Sequence, residues 1–245
     1  MQQRLPSLRD TPVAFAHRGA RAHAPENTLQ SFGLALSMGA TGLESDVWST
    51  SDRHAVLDHD GVVRRRVRNV PIGSVERAAL PGHIPSFDEV VSALGTGYEF
   101  SLDVKDPSAV DPLAAAVSAS GFPGRRLWLC SPDLSVLRAC GEALPAAHLV
   151  HSTRHERISG TLERHVSGLR EKGIDTLNMH HTEWNGGRVA LCHRFGVHAF
   201  GWDIQHEDHM RTALRMGLDG VYSDRVDMMM AIHREETTAT RPRET

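Results

Sequence analysis

Lysine and cysteine are scarce in this chain, and basic residues do not exceed acidic ones. Lys105 and Lys172 are the only lysines, so arginine supplies almost all of the positive charge. The formal net charge is −3 over 245 residues. Binding of nucleic acid normally requires clustered basic residues on one face. The composition therefore indicates no nucleic-acid partner.

Long apolar runs are also missing. No stretch approaches the roughly 20 apolar residues that span a bilayer, and residues 1–12 hold no apolar segment of signal-peptide length. The three cysteines, Cys130, Cys140 and Cys192, lie too far apart for a zinc knuckle or a CxxC motif. We expect small buried thiols in a reducing compartment, and hence a cytoplasmic protein without stable membrane insertion.

The chain alternates short apolar runs with amphipathic stretches of ten or more residues. With 40% hydrophobic and 23% charged residues, it has the composition of an ordinary globular protein. Predicted strands cover residues 13–17, 42–47, 98–105, 126–131, 148–153, 176–180, 197–204 and 220–223. Predicted helices cover residues 28–38, 86–94, 112–120, 134–143, 159–172, 187–195, 207–216 and 225–233. Eight such units predict an α/β fold, a (β/α)₈ TIM barrel. A doubly wound open sheet is the alternative, but no glycine-rich dinucleotide turn follows the first strand.

The barrel pattern sets the domain boundaries. Residues 1–12 form an N-terminal extension, residues 13–234 a single domain, and the polar residues 235–245 a tail that is predicted to be disordered. Residues 54–85 do not fit the repeat. Because this segment follows the second strand and includes the arginine-rich residues 64–68, we interpret it as a short inserted loop over the barrel mouth.

Charged residues terminate several of the apolar runs. They fall in four motifs, His17-Arg18-Gly19, Pro25-Glu26-Asn27-Thr28, Glu44-Ser45-Asp46 and Asp58-His59-Asp60. Strand ends of this kind indicate a catalytic rim, since TIM-barrel enzymes place their sites at the C-terminal face of the barrel.

Carboxylates on two strands should converge at this rim. Residues two apart on a strand share a face, so Glu44 pairs with Asp46, and Asp103 pairs with Lys105. Three converging carboxylates repel one another unless a cation neutralises them, and oxygen ligands favour Mg²⁺ or Ca²⁺. The alternative is a solvated strand end with surface salt bridges.

Two histidines and two cations complete the predicted site. His17 and His59 could act as the proton acceptor and donor of an in-line displacement. Arg18 and Lys105 are candidate phosphate clamps, although Lys105 could instead pair with Asp103 or the adjacent Asp106. Glu26 lies at a helix start and could still reach the site.

The order HRG, PENT, E-x-D and HD resembles the glycerophosphodiester phosphodiesterase family, and the similarity extends from His17 to Asp224. It implies that His17 and His59 are the acid–base pair, that Arg18 binds phosphate, and that Glu44 and Asp46 bind metal. Asp103 stands where the family has the glutamate of an E-x-K motif, and Trp202 stands where it has a tryptophan at the mouth. Gly217-Leu218-Asp219-Gly220-Val221, with Asp224 after it, resembles the family's closing motif.

The resemblance implies metal-dependent hydrolysis of a small phosphodiester to sn-glycerol 3-phosphate and an alcohol, within lipid and glycerol metabolism. Three departures bear on the site. Asp103 is one methylene shorter than glutamate, residues 61–66 differ from the family run after HD, and residues 202–205 read Trp-Asp-Ile-Gln rather than W-T-V-N. Two alternatives remain, a lysophospholipase D-like phosphodiesterase and a non-catalytic barrel that binds a phosphorylated ligand. Neither the head group nor the oligomeric state follows from the sequence.

Overall fold

The strands form a closed barrel. A computed structural model describes residues 4–65 and 68–238. Within them, the strands are β1 Val13–Ala16, β2 Gly42–Ser49, β3 Ala55–Leu57, β4 Val62–Arg65, β5 Arg68–Pro71, β6 Glu99–Val104, β7 Leu127–Ser131, β8 His148–Ser152, β9 Thr176–His180, β10 His198–Trp202 and β11 Gly220–Ser223. The order around the barrel is β1-β2-β6-β7-β8-β9-β10-β11, all parallel, and β1 pairs with both β2 and β11. The predicted (β/α)₈ barrel is confirmed, and the open-sheet alternative is wrong.

A helix follows each of the eight barrel strands in the chain. They are α1 Leu29–Ser37, α2 Phe87–Leu94, α3 Val110–Ser120, α4 Leu134–Ala143, α5 Leu162–Glu171, α6 Gly186–Arg194, α7 Glu207–Arg215 and α8 Val226–Thr238. Side-chain caps fix several N-termini, including capping boxes at Thr28 and Ser86. These local signals explain why predicted helix boundaries fall close to the observed ones.

Apolar side chains fill the barrel in two layers. The larger cluster lies between the sheet and the surrounding helices. Inside the barrel, Phe15 stacks on Tyr222 with ring centroids 4.7 Å apart and packs near Trp128 and Phe200. A Cβ at Gly220 would lie 2.8 Å from the Phe200 ring, so only glycine leaves room there. Because aromatic rings fill this part of the barrel interior, a ligand can enter the barrel only from the C-terminal mouth, where a cavity opens.

The segment between β2 and α2 departs from the repeat, as predicted, but it is more than a loop. β3 pairs antiparallel with β2, and β4 and β5 form a two-stranded antiparallel sheet. The segment has its own apolar cluster of Val56, Val63, Ile72, Val75, Leu80 and Ile84. The predicted arginine-rich run falls partly outside the described residues, at Arg66 and Val67.

The predicted tail boundary at residue 235 is wrong, because α8 continues to Thr238. Glu236 is buried and pairs with Arg4 at 3.2 Å, Arg211 at 3.0 Å and Arg215 at 2.9 Å. These contacts hold the end of α8 against the N-terminal segment and α7. Residues 239–245 of the predicted tail lie outside the described residues.

Two expectations about the fold concern membranes and thiols. Across residues 4–65 and 68–238, no helix has both the length and the apolar character required to cross a bilayer. Cys130, Cys140 and Cys192 are free and buried. Burial raises the pKa of Cys140 to about 11, which makes it an unreactive packing residue, as expected for all three.

Asp219 closes the bottom of the barrel. Its fully buried carboxylate accepts hydrogen bonds from Ser7 Oγ at 2.7 Å, the Leu8 amide at 2.7 Å, the Ala199 amide at 2.7 Å and His193 Nε2 at 2.8 Å. Burial alone would raise the Asp219 pKa, but the hydrogen bonds from His193, Ser7 and the Ala199 amide hold it below its usual range. The aspartate of the closing motif is therefore a structural residue at the opposite end of the barrel from the mouth.

We expect Asp219→Asn to lower the free energy of unfolding by about 3 kcal/mol at pH 7, the scale of losing charged partners in a buried network. A lowered folded pKa means that the carboxylate stabilises the fold above its unfolded pKa of about 3.9. That contribution is lost as the pH falls through the folded pKa, so the two proteins should converge in acid. Urea unfolding between pH 3 and 8 measures this. The control, Asp111→Asn at an exposed ion pair with Arg53, should change stability little; an equal loss there would contradict the assignment.

Candidate active site

A cavity of about 300 Å³ opens at the C-terminal mouth of the barrel. It is lined by ionisable, neutral polar and aromatic side chains: His17, Arg18, Glu44, Ser101, Asp103, Cys130, Ser152, Asn178, Trp202, Asp203 and Tyr222. Five of the nine residues predicted for the site therefore line one cavity. The other four, Glu26, Asp46, His59 and Lys105, lie outside this lining.

The predicted carboxylates converge. β2 and β6 are parallel neighbours with Glu44 opposite Ser101 and Asp46 opposite Asp103. One oxygen from each of Glu44, Asp46 and Asp103 lies within 4.8 Å of the others. Oxygens around a single Mg²⁺ or Ca²⁺ at about 2.0–2.6 Å have this spread, so the shorter Asp103 side chain still belongs to the cluster.

The electrostatics of this acidic cluster suit a cation. Burial, and then the charges of Glu44 and Asp103, raise the pKa of Asp46 to about 7. Burial also raises the Glu44 pKa, against the opposing charge of His17. Asp46 Oδ2 is buried and has no hydrogen-bond partner. An orphaned carboxylate oxygen beside two further carboxylates fits a divalent cation in its donor type and in its charge.

Lys105 lies against the acidic cluster. Its Nζ is 2.7 Å from Asp103 Oδ2 and 3.2 Å from Asp46 Oδ1. Burial would lower the Lys105 pKa, but these two carboxylates raise it instead, so the ammonium stays charged. The salt-bridge alternative for Lys105 therefore describes its contacts, with Asp46 rather than Asp106 as the second partner.

The HRG turn shapes one wall of the cavity. Arg18 has φ 54° and Gly19 has φ 78°, the left-handed region that favours glycine. A Cβ at Gly19 would lie 2.5 Å from Ser31 Oγ in α1. This close approach allows the Arg18 amide to donate to Glu44 Oε2 at 2.9 Å, which joins the HRG turn to the acidic cluster.

The PENT segment holds the Arg18 side chain in position. Arg18 NH1 donates to Glu26 Oε1 at 3.1 Å, and Arg21 Nε lies 2.6 Å from Glu26 Oε2. Asn27, with φ 54°, accepts from Ser45 Oγ at 2.7 Å, which fixes the turn to β2. Glu26 thus orients the arginine rather than lining the cavity, and Arg18 Nε remains buried without a partner.

His17 is held between two carboxylates. Its Nδ1–H donates to Asp224 Oδ1 at 2.6 Å, and its Nε2 lies 3.8 Å from Glu44 Oε2. Burial would lower the His17 pKa, but Glu44 and Asp224 outweigh burial and raise it. Hydrogen bonding to His17, with the charge of Arg21, lowers the pKa of Asp224 despite its burial, so an ionised aspartate fixes the imidazole.

His59 lies on the loop that follows β3. Asp58 donates its amide to the Asp46 carbonyl at 3.1 Å, which brings this loop beside the acidic cluster. His59 Nδ1–H donates to Asp60 Oδ1 at 2.7 Å, and its side chain is 39% exposed. The two predicted histidines thus approach the acidic cluster from different elements, His17 from the end of β1 and His59 from the loop after β3.

Trp202 forms the wall across the mouth. Its ring contacts His180 edge-on, with centroids 4.7 Å apart, and Arg154 covers one face at 4.6 Å from the ring centroid. The next residue, Asp203, has φ 63° and its carboxylate lies 3.2 Å from His180 Nε2. Residues outside glycine rarely adopt this conformation, and such strain concentrates at functional sites.

The sequence model of the glycerophosphoryl diester phosphodiesterase family matches residues 17–228. The chain belongs to this family. It is therefore a phosphoric diester hydrolase, as the four motifs predicted.

Relatives span nearly the whole chain. The glycerophosphodiester phosphodiesterase of Caldanaerobacter subterraneus subsp. tengcongensis is 25% identical over 246 residues, covering 91% of this chain and 98% of the relative. The crystal structure of the Thermotoga maritima glycerophosphodiester phosphodiesterase has a TM-score of 0.78 at 23% identity, covering 90% of this chain and 98% of that one. An Oleispira antarctica phosphodiesterase in complex with the product sn-glycerol 3-phosphate has a TM-score of 0.78 at 22% identity, covering 91% and 96%. The two structures share the fold of this family member.

Sequence reasoning missed three residues of the site. Asp224 was noted only within the closing motif, although it too follows a barrel strand and could have been found by the rule that selected His17. Asn178 and Ser152 line the cavity from β9 and β8, but they are neutral side chains inside strands and carry no charge pattern that marks them.

We expect Asp224→Asn to lower kcat by about 10–100-fold, since partners that fix the tautomer and orientation of a functional histidine contribute on this scale. The amide can present its NH₂ group to Nδ1, which would favour the other tautomer. Steady-state kinetics with a chromogenic phosphodiester measures the change. Asp227→Asn, at the exposed His23 pair, is the control, and full activity in Asp224→Asn would show that His17 needs no such partner.

Proposed function

We propose that this protein hydrolyses glycerophosphodiesters to sn-glycerol 3-phosphate and an alcohol, using a divalent cation and the His17/His59 pair. The observation that carries the proposal is the acidic cluster beside His17 and Arg18. An orphaned buried carboxylate oxygen, a fixed imidazole and an unpaired guanidinium N–H together suit a bound phosphodiester and a cation. The family name and the product bound to the Oleispira antarctica protein support this substrate class.

Glu44, Asp46 and Asp103 would hold the cation, whose positive charge would stabilise the phosphoryl oxygens as negative charge develops on them. Mg²⁺ and Ca²⁺ both match the oxygen donors. Lys105, charged and bound to two of the three carboxylates, offsets part of the charge of the cluster.

Arg18 binds the phosphate and the histidines move the protons. Arg18 lines the cavity, its Nε is unpaired and its NH1 donates to Glu26, so the guanidinium is pre-positioned for an anion. Because Nδ1 of His17 is bonded to Asp224 and Nδ1 of His59 to Asp60, each ring has Nε2 available for proton transfer. One imidazole accepts the proton of the attacking water while the other protonates the leaving alkoxide.

The decisive experiment is hydrolysis of a glycerophosphodiester panel by the purified protein with Mg²⁺ or Ca²⁺. The panel contains glycerophosphocholine, glycerophosphoethanolamine, glycerophosphoglycerol and glycerophosphoinositol. A coupled sn-glycerol 3-phosphate dehydrogenase assay reports the product. Release of a phosphorylated head group, or hydrolysis of lysophospholipids alone, would overturn the proposal, and the second result would favour the lysophospholipase D-like alternative. The cytoplasmic location stays a prediction.

A further inference from the structure

Asn178 lies on the wall of the cavity that faces the acidic cluster. In the barrel order, β9 is four strands from β2 in either direction, so the two strands are opposite each other. Asn178 sits between Ser152 of β8 and Phe200 of β10 in the strand register. It is 5% exposed and lines the cavity. Any part of a substrate that extends from a phosphate at Arg18 toward β9 meets this side chain.

The Asn178 amide is only half satisfied. Its Nδ2 donates to Ser152 Oγ at 3.3 Å, whereas its Oδ1 is buried without a hydrogen-bond partner. Other polar side chains of the cavity lining do have partners, since Ser101 Oγ lies 3.0 Å from Tyr222 OH and 3.3 Å from Cys130 Sγ. Buried polar atoms are almost always paired, so an unpaired atom on a residue that lines the cavity is a candidate for a ligand contact.

Two buried side-chain atoms of the described lining residues lack a partner, and they differ in kind. Arg18 Nε is a donor and Asn178 Oδ1 is an acceptor. A phosphodiester anion offers only acceptors, so it can pair with Arg18 but not with Asn178 Oδ1. In the amide orientation of this structure, Asn178 Oδ1 therefore requires a different group, one that carries a donor.

A hydroxyl group satisfies this requirement in either orientation of the amide. Oxygen and nitrogen of an asparagine amide can exchange places by a flip, and the Ser152 hydroxyl can pair with either atom. The atom left toward the cavity would then be an acceptor or a donor. A ligand hydroxyl matches both cases because it donates and accepts.

Trp202, on the strand next to β9, contributes an aromatic ring to the same wall. The Arg154 guanidinium already covers one face of the indole. A face occupied by one cation is not free to receive a quaternary ammonium group by a cation–π contact. The wall formed by β8, β9 and β10 thus offers hydrogen bonding from an amide and a hydroxyl, beside an aromatic ring.

We propose that Asn178, oriented by Ser152, forms a hydroxyl-binding subsite for the polyol part of the substrate. The inference rests on the proposed glycerophosphodiesterase function and deepens it. The hydroxyl can come from the glycerol moiety or from the alcohol head group, and the two sources are separable by substrate choice.

The experiment compares substrates with and without hydroxyl groups in one set of variants. Asn178→Leu preserves the size of the side chain and removes its hydrogen bonds, and Asn178→Ala serves as a second variant. We expect kcat/KM for glycerophosphoethanolamine and glycerophosphoglycerol to fall about tenfold, the upper range for one neutral hydrogen bond. Hydrolysis of bis-p-nitrophenyl phosphate, which has no hydroxyl, should change less than about twofold on the same reasoning. This retained activity also shows that the variants fold.

Thr176→Val is the matched control. Thr176 lies two residues before Asn178 on β9, and its buried Oγ1 also lacks a partner, but it does not line the cavity. Its replacement should leave the ratio of the two activities unchanged. A selective loss in Thr176→Val equal to that in Asn178→Leu would overturn the subsite, because strand packing would then explain both.

The substrate arms identify the source of the hydroxyl. Equal losses for glycerophosphoethanolamine and glycerophosphoglycerol, with weaker inhibition by sn-glycerol 3-phosphate but not by inorganic phosphate, assign the subsite to glycerol. A loss confined to glycerophosphoglycerol assigns it to the head group. The inference would be overturned if the Asn178 variants lost activity equally on bis-p-nitrophenyl phosphate, or lost no activity on any substrate. The proposed function would remain intact in both cases, provided that the unmodified protein hydrolyses glycerophosphodiesters. Absence of that native activity would overturn the function itself, and the inference with it.

Discussion

Replacement of His17 or His59 by alanine is expected to lower kcat by about 10²–10⁴-fold, the usual contribution of a positioned general acid or base. His17 is the better fixed of the two, with Asp224 on Nδ1 and Glu44 near Nε2. His59 depends on a single exposed contact with Asp60. Steady-state kinetics with a glycerophosphodiester measures both variants.

Leaving-group dependence separates the two roles. A p-nitrophenolate leaves without protonation, whereas an alkoxide needs a general acid. The variant that lacks the acid should therefore recover much of its activity with bis-p-nitrophenyl phosphate, and the variant that lacks the base should not. If both variants recover equally, the histidines do not divide the proton transfers between them.

The control is His54→Ala, a half-exposed histidine whose nearest charged partner, Asp52, lies 3.7 Å away. It should retain full activity, because neither residue lines the cavity. A comparable loss in His54→Ala would mean that position at a strand end does not identify the functional histidines among the 16 in the chain.

The fold followed from the sequence because its signals are local. Alternating apolar periods, capping residues such as Thr28 and Ser86, and glycines such as Gly196 at φ 68° each act within a few residues. The end of α8 did not follow, since Glu236 is anchored by arginines more than 20 residues away in sequence. Long-range ion pairs of this kind leave no pattern in a short window.

The charged residues of the site could be predicted from the sequence. Glu44, Asp46 and Asp103 were identified because carboxylates at the ends of buried strands have no packing role, and their convergence is now seen. The role of their neighbour Lys105 was harder to predict, since an ammonium group at a strand end can bind a phosphate or a carboxylate equally well. Asn178 escaped because only the three-dimensional structure shows that its Oδ1 has no hydrogen-bond partner.

Removal of divalent metal is expected to abolish activity. EDTA should eliminate hydrolysis, and Mg²⁺ or Ca²⁺ should restore it, because Lys105 offsets only part of the charge of the three carboxylates and an anionic phosphodiester requires the rest to be neutralised. Activity that persists in EDTA-treated protein, after metal analysis confirms removal, would contradict the proposed cation.

Asp46→Asn should separate metal binding from folding, since the two properties are expected to respond in different directions. Calorimetry should show metal affinity reduced by more than about tenfold, because even residues behind metal ligands contribute 10–100-fold. The stability of the metal-free protein should stay unchanged or rise at pH 8. The reason is the sign of the pKa shift: with the Asp46 pKa raised to about 7, its ionised form opposes folding above that pH.

Asp219→Asn is the matched control for Asp46→Asn, because Asp219 is a buried carboxylate with the opposite shift. Its pKa is lowered by hydrogen bonds from His193, Ser7 and the Ala199 amide at the bottom of the barrel, so its ionised form favours folding. This variant should lose stability in urea unfolding and keep its metal affinity. Loss of stability without loss of metal affinity in Asp46→Asn would instead show that Asp46 has the same structural role as Asp219, and that the acidic cluster is not the metal site.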